Sequence, residues 1–315
     1  MLVGFTFQVV RSRQKQKKLN LVLQDQKEEL ISLNEELKQS EDEVISQRDN
    51  IIAQKELLAS QHHQLTQSIK AAEVIQSAIL PVETCLNRSF EAHFVLFKPR
   101  DTVSGDFYWF SNKHDMRIMA VVDCTGHGVP GAFMSMMSYA LLNEIIKIKH
   151  LRDPSQILEK LRAELKTSLK QDDLYQGYGM DMVLITLENE SNEQIKVSFA
   201  GAKRPLWYIT PQCTGIQEIA GDRISIGFRP HYKRSFNTHE LMVPRGTLCY
   251  LTSDGLLDQN NTAMEKIGAK QLKQFLFDHH ERPLDCQKVA LESMLTQHMK
   301  GVSQRDDILL LGIKV

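Results

Sequence analysis

Four apolar runs in this sequence carry an aspartate at one end: Asp106 in "VSGDFYW", Asp123 in "RIMAVVDCTGHG", Asp254 in "LCYLTSDGLLD", and Asp306 with Asp307 in "SQRDDILLLGIKV". One Asp-Gly pair is an ordinary turn signal. Four strand-end carboxylates, aspartate throughout and mostly with glycine near, instead predict one convergent anionic cluster. Unpaired at low effective dielectric, such a cluster repels itself, and cations between the carboxylates remove the repulsion. Hard divalent cations take oxygen ligands, so the chemistry these residues suit is metal-assisted.

The stretch "VVDCTGHGVPGAF" at 121–133 admits two other chemistries. Gly126, Gly128 and Gly131 have the spacing of a dinucleotide-binding turn. That unit needs a parallel strand after its helix, whereas here a second helical pattern follows, and Asp123 would repel a pyrophosphate. A thiol reading needs Cys124 as a thiolate, with an arginine to grip phosphate. Pro130 stands six residues beyond, and Asp123 beside the thiol disfavours its ionisation. The glycines are better explained as room for a sharp backbone turn.

The elements that must position these residues fall into two regimes. From about 19 to 80 there is no proline and almost no glycine, and Leu23, Leu30, Leu37, Val44, Ile51, Leu58, Leu65, Ala72 and Ile79 recur every seventh residue. This is a heptad seam, predicting a dimeric coiled coil. Its companion positions, Gln26, Leu33, Ser40, Gln47, Gln54, Gln61, Ser68 and Ile75, are mostly polar, which makes the coil marginal. A signal-transmitting helix and a passive stalk both suit that pattern. Before it, "MLVGFTFQVV" and the basic run Arg11, Arg13, Lys15, Lys17, Lys18 read as the cytoplasmic end of a transmembrane helix, or as an unstructured start.

Beyond Pro81, which ends the helix, short strand-like runs cluster together, with helical stretches at 131–149, 154–170, 269–280 and 283–300. Clustered strands predict an α+β fold with antiparallel sheets flanked by helices, not a doubly wound parallel sheet. Lys203 and Arg204 fall in "AGAKRP", expected to be a hairpin turn, where they hold an anionic substrate or are merely solvated. The stripe Phe133, Met134, Met137, Leu141, Ile145 is expected in the core, and His279 with His280 on the surface. The organisation expected is a membrane-end segment with basic run (1–18), coiled coil (19–70), regulatory helix (71–84) and catalytic domain (85–315).

At 315 residues, 42% hydrophobic and 24% charged, the chain can bury a sizeable core, and its net charge of −1 gives no electrostatic case for nucleic acid. Its five cysteines are widely separated with no Cys-x-x-Cys pair, which suits a reducing, cytosolic setting.

The ordered motifs "VSGDFYW", "VVDCTGHGVPGAFMSM", "GMDMVLITL", "FAGAKRPLWYI", "LTSDGLLD" and "QRDDILLLGIKV" resemble the metal-dependent protein serine/threonine phosphatases (PPM), in their SpoIIE-type, RsbU-like branch. The likeness covers about residues 71–315. It implies an antiparallel β-sandwich between helix layers (α-β-β-α) and hydrolysis of phosphoserine or phosphothreonine using two Mn2+ or Mg2+ ions per site. Position by position, Asp106 and Asp123 resemble shared metal ligands, with Asp123 bridging, and the Cys124 backbone carbonyl takes the carbonyl-ligand place. Asp254 and Asp306 resemble ligands on the other side. Asp307 lies where many relatives carry Asn, which favours a structural role, and Asp181 touches an extra metal or caps a strand. The implied nucleophile is a hydroxide bridging the metals, with His127 as general acid or as a loop-bonding histidine. The heptad seam and the apolar start with its basic run lead to the expectation of a homodimer tethered at the cytoplasmic face of the inner membrane below an upstream membrane sensor, and the resemblance implies a phosphorylated STAS-type anti-sigma-factor antagonist as substrate. A non-catalytic phosphoprotein-binding scaffold of the same fold is the alternative.

Overall fold

The computed structural model describes residues 2–113, 116–170, 177–191, 193–227 and 234–315, with side chains from residue 10 onward. The chain divides into two units, Met1–Gln67 and Ser68–Val315. Helix α1 covers Leu2–Ile79. In the first unit the seam residues Leu23, Leu30, Leu37, Val44, Ile51, Leu58 and Leu65 are each 57–66% exposed, so within one chain nothing covers the stripe. Among the described residues no helix is long and apolar enough to cross a membrane.

The second unit is built from two antiparallel sheets. The first has the order β1 (Ala92–Lys98), β11 (Ile308–Lys314), β10 (Leu248–Thr252), β6 (Leu206–Ile209), β7 (Gln217–Ile219). The second runs β2 (Asp106–Lys113), β3 (Met116–Cys124), β4 (Gly179–Asn189), β5 (Gln194–Ala202), β9 (His239–Pro244), with β8 (Ile226–Gly227) also paired to β4. Val121, Val183, Phe199, Leu251, Leu309 and their neighbours fill the space between the inner faces. On the outer face of the second sheet lie α3 (Gly128–Leu142), a π-helical turn (Asn143–Ile148) and α4 (Pro154–Ser168). Outside the first lie α6 (Gly268–His279) and α7 (Leu284–His298), while α2 (Glu83–Asn87) and α5 (Gly255–Asp258) are short connections. This is the α-β-β-α sandwich expected from the clustered strands. Strands such as β3 and β11 are apolar on both faces because each lies between a helix layer and the opposing sheet, which explains runs like "ILLLGI".

Three expectations change. "AGAKRP" is not a hairpin: β5 pairs with β4 and β9, whereas β6 pairs with β10 and β7, so Lys203 and Arg204 lie on a crossing from one sheet to the other. Phe133 is 71% exposed, because the face of α3 turned to the sheet runs through Met134, Ser138 and Leu141, and the preceding residue points about 100° away. His279 and His280 are half-buried, stacked on Phe275 and Phe277 with ring centroids 4.2 and 4.8 Å apart.

Candidate active site

The aspartates meet at one end of the sandwich, where the connections of both sheets converge. In the second sheet Asp106 on β2 stands opposite Asp123 on β3, which stands opposite Asp181 on β4. Cross-strand neighbours share a face at about 5 Å, so three carboxylates form a row on the inner side, a pairing that is destabilising for like charges. From the first sheet come Asp254, just after β10, and Asp306 and Asp307, just before β11.

Arg204 ties the two sheets together here. Its Nη2 donates to Asp123 Oδ2 at 2.8 Å and to Asp254 Oδ2, and lies 3.6 Å from Asp181 Oδ2. Lys203 Nζ is 3.4 Å from the same Asp181 oxygen, and Ser225 Oγ donates to Asp181 Oδ1 at 2.6 Å. Burial opposes the Arg204 charge, but Asp123 and Asp254 outweigh it and raise the guanidinium pKa. Burial, reinforced by neighbouring Asp123, pushes the Asp106 carboxyl well above the usual carboxylate range. Asp123 is likewise raised by burial and by Asp254, with Arg204 acting in opposition.

Asp106 is buried, and its Oδ2 has no hydrogen-bond partner among the described residues. A buried carboxylate oxygen without a partner is costly. The charged groups that act on it, Asp123, Asp307 and Asp254, are all carboxylates, which fits a hard divalent cation. Among the described residues, no three His, Cys, Asp or Glu side chains already close round a single point. One oxygen each of Asp123 and Asp254 faces a guanidinium.

The remaining residues singled out by sequence fall into distinct places. Asp307 is buried, and accepts the backbone N–H of Arg100 and of Gly105, each at 2.7 Å, so both its oxygens hold the loop that leads into Asp106. Asp306 is exposed and accepts the Asp307 N–H at 2.9 Å. The Cys124 side chain is buried against the helix layer, 3.9 Å from Ser138 Oγ, and burial pushes its thiol well up, far from a thiolate. Its carbonyl oxygen instead points to Gly105, 3.0 Å from where a Cβ there would stand. Gly131 allows α3 to start close by, since a Cβ on it would come within 2.2 Å of the Gly126 carbonyl. His127 is exposed, its Nδ1 2.7 Å from Asp101 Oδ2.

Sequence reasoning missed Asp101 and Gln76. Gln76, buried near the end of α1, donates to Ser104 O at 2.6 Å and to Ser135 Oγ at 2.8 Å, and accepts the Ser104 N–H at 3.0 Å. Ser104 Oγ in turn accepts the Asp106 N–H at 3.0 Å. One glutamine in a glutamine-rich helix carries no signal; only its exact tertiary neighbours distinguish it.

A β-sandwich between helix layers, with carboxylates from both sheets gathered at one end, defines the architecture of the metal-dependent protein phosphatases. Residues 113–315 match the family described as Stage II sporulation protein E (SpoIIE), and the chain belongs to that family. It is a bacterial protein serine/threonine phosphatase of signalling systems, of a class that depends on metal. The SiaA-PP2C domain of Pseudomonas aeruginosa is 32% identical with a TM-score of 0.72, the match covering 81% of this chain and 98% of that one. "Phosphoserine phosphatase RsbU" of Bacillus subtilis (strain 168) is 24% identical over 267 residues, 80% of this chain and 70% of the relative. The PP2C phosphatase domain of SpoIIE from Bacillus subtilis, solved with a fragment of its regulatory domain, shares the fold at 15% identity and a TM-score of 0.56, over 71% of this chain and 62% of that one.

Proposed function

We propose that the chain removes phosphate from phosphoserine or phosphothreonine on a small STAS-type anti-sigma-factor antagonist, under control of its N-terminal coiled coil. The observation that carries the catalytic part is the buried Asp106 with its unpartnered oxygen, in a row with Asp123 and Asp181 and facing Asp254 from the opposite sheet. In this reading Asp106, Asp123, the Cys124 carbonyl, Asp254 and Asp306 hold two Mn2+ or Mg2+ ions, with Asp181 beside them and Asp307 holding the loop. Such a pair of cations would supply a water nucleophile at neutral pH and neutralise phosphoryl charge. Lys203 and Arg204 supply positive charge where the phosphoprotein docks. His127, oriented by Asp101, stands at the mouth to protonate the leaving serine oxygen.

Control rests on α1. Gln76 grips Ser104 two residues before Asp106 and Ser135 seven residues after the site loop ends at Gly128, so rotation of the helix shifts Asp106 relative to Asp123. The uncovered heptad stripe supports a homodimer, and the apolar start followed by a basic run supports tethering to the inner membrane below a sensor.

The direct test is Mn2+-dependent phosphate release from a phosphoserine STAS protein. Asp123→Asn is expected to lower kcat by about 100- to 1,000-fold, the range seen on removing one preorganised electrostatic group. Wild-type protein that binds no Mn2+ and releases no phosphate would favour the scaffold reading instead.

A further inference from the structure

We propose that Arg204 is an internal counter-cation of the carboxylate cluster, competing with a divalent cation for Asp123 and Asp254, so that cation binding turns its guanidinium out toward the phosphoryl group. The inference rests on the assignment of those aspartates to cations made above. Arg204 Nη2 donates to one oxygen of each, on opposite sheets. An oxygen facing a guanidinium at hydrogen-bond distance presents less of its lone-pair density to an ion, and two positive charges at one site repel.

The turn that delivers this side chain is rigidly made. The Arg204 carbonyl lies where a Cβ on Gly201 would come within 2.1 Å and one on Gly221 within 2.5 Å, so two glycine backbones close on it. Lys203 adopts a left-handed conformation (φ 57°), its N–H donating to Asp222 O at 2.8 Å, while the Arg204 N–H donates to Ala202 O at 2.7 Å. With the backbone fixed, any adjustment falls to the long side chain. Its ties are uneven. Among the described residues Nη2 carries the carboxylate contacts, whereas Nε is buried without a partner, so the guanidinium is incompletely satisfied by them where it stands. A group bound strongly through one nitrogen and left unpaired at another is suited to displacement, and a planar fork of donors suits the phosphoryl oxygens it would then meet.

The test is calorimetric titration of Mn2+ into the full chain without substrate, for wild type, Arg204→Gln, Arg204→Lys and Asp123→Asn. Arg204→Gln is expected to bind Mn2+ about tenfold more tightly than wild type, the equivalent of roughly 1.4 kcal/mol. Arg204→Lys keeps the charge but not the fork, and is expected to fall between the two. Without Mn2+ the Arg204→Gln protein should melt below wild type, and at saturating Mn2+ the two should converge. Loss of binding in Asp123→Asn, together with Arg204→Gln binding no tighter than wild type, overturns the competition and leaves the cation assignment standing. Undiminished binding in Asp123→Asn overturns both. Should Arg204→Gln fail to fold, Arg204→Lys binding no tighter than wild type overturns the competition by itself.

Discussion

Asp307 is a carboxylate whose work is mechanical. Its two oxygens accept the amides of Arg100 and Gly105, and of these the Gly105 donor is buried whereas Arg100 is exposed. Replacing it by alanine orphans the Gly105 donor and leaves the Arg100 amide to water, and at roughly 1.5–3 kcal/mol for a buried bond to a charged group the expected loss is about 2 kcal/mol, read as a lower urea midpoint at unchanged m-value. Asparagine keeps one acceptor, so Asp307→Asn should lose about half of that. At this scale the sequence is partly legible. An aspartate beside an apolar run announces itself, which is why Asp106, Asp123 and Asp254 could be picked out together. Arg204 does not: whether it faces water or carboxylates depends on which sheet β6 joins, and that pairing with β10 lies some forty residues further on. The wrong hairpin and the unforeseen contacts of Arg204 with Asp123 and Asp254 have the same cause.

Among the elements, α4 shows how a local signal and a tertiary contact combine. "DPSQ" places Asp153 at the N-cap with proline at the first helical position. Asp153 Oδ1 accepts the Gln156 N–H at 2.9 Å and the Ser155 hydroxyl at 2.6 Å, and Oδ2 accepts Thr238 Oγ1 at 2.9 Å, which fastens the helix to the segment before β9. Partial burial alone would raise this carboxyl, but those hydrogen bonds outweigh it and hold the pKa below the ordinary value. A pKa lower in the folded than in the unfolded chain stabilises the fold above the unfolded value, about 3.9, and that contribution is lost as pH falls through the folded value. Asp153→Ala should therefore cost about 1 kcal/mol at neutral pH, with the gap to wild type narrowing in urea titrations as pH falls through the folded value. Strands and helices of the catalytic unit are legible because apolar runs and helical periods are local. The end of α3 is less so: the pattern reads as helix to 149, and only the structure shows a π-helical turn at Asn143–Ile148, where Trp109 Nε1 donates to Asn143 at 3.2 Å.

For the whole molecule the question is what covers the heptad stripe and whether that matters to the active site. Seven large apolar seam residues at more than half exposure are too much for an isolated helix to leave in water without a partner, and every seventh position favours a second helix of the same kind. The heptad seam was legible because it is written in periodicity, and the flanked antiparallel sheets because the strand-like runs cluster, whereas the link of Gln76 to Ser104 was not, because it is a single buried glutamine. That link gives the last prediction. The full chain should sediment as a dimer, and a chain lacking residues 1–67 as a monomer. If α1 sets Asp106 through Gln76 and Ser104, the shortened chain and Gln76→Ala in the full chain should shift Mn2+ affinity and kcat in the same direction, by about tenfold or more, the size of an ordinary coupling free energy. Calorimetry with Mn2+ and phosphate release on the same samples read both. A monomeric shortened chain with the metal affinity and kcat of the dimer would show that the coil joins two chains without governing the site, and a silent Gln76→Ala would place any control elsewhere than in its hydrogen bonds to Ser104.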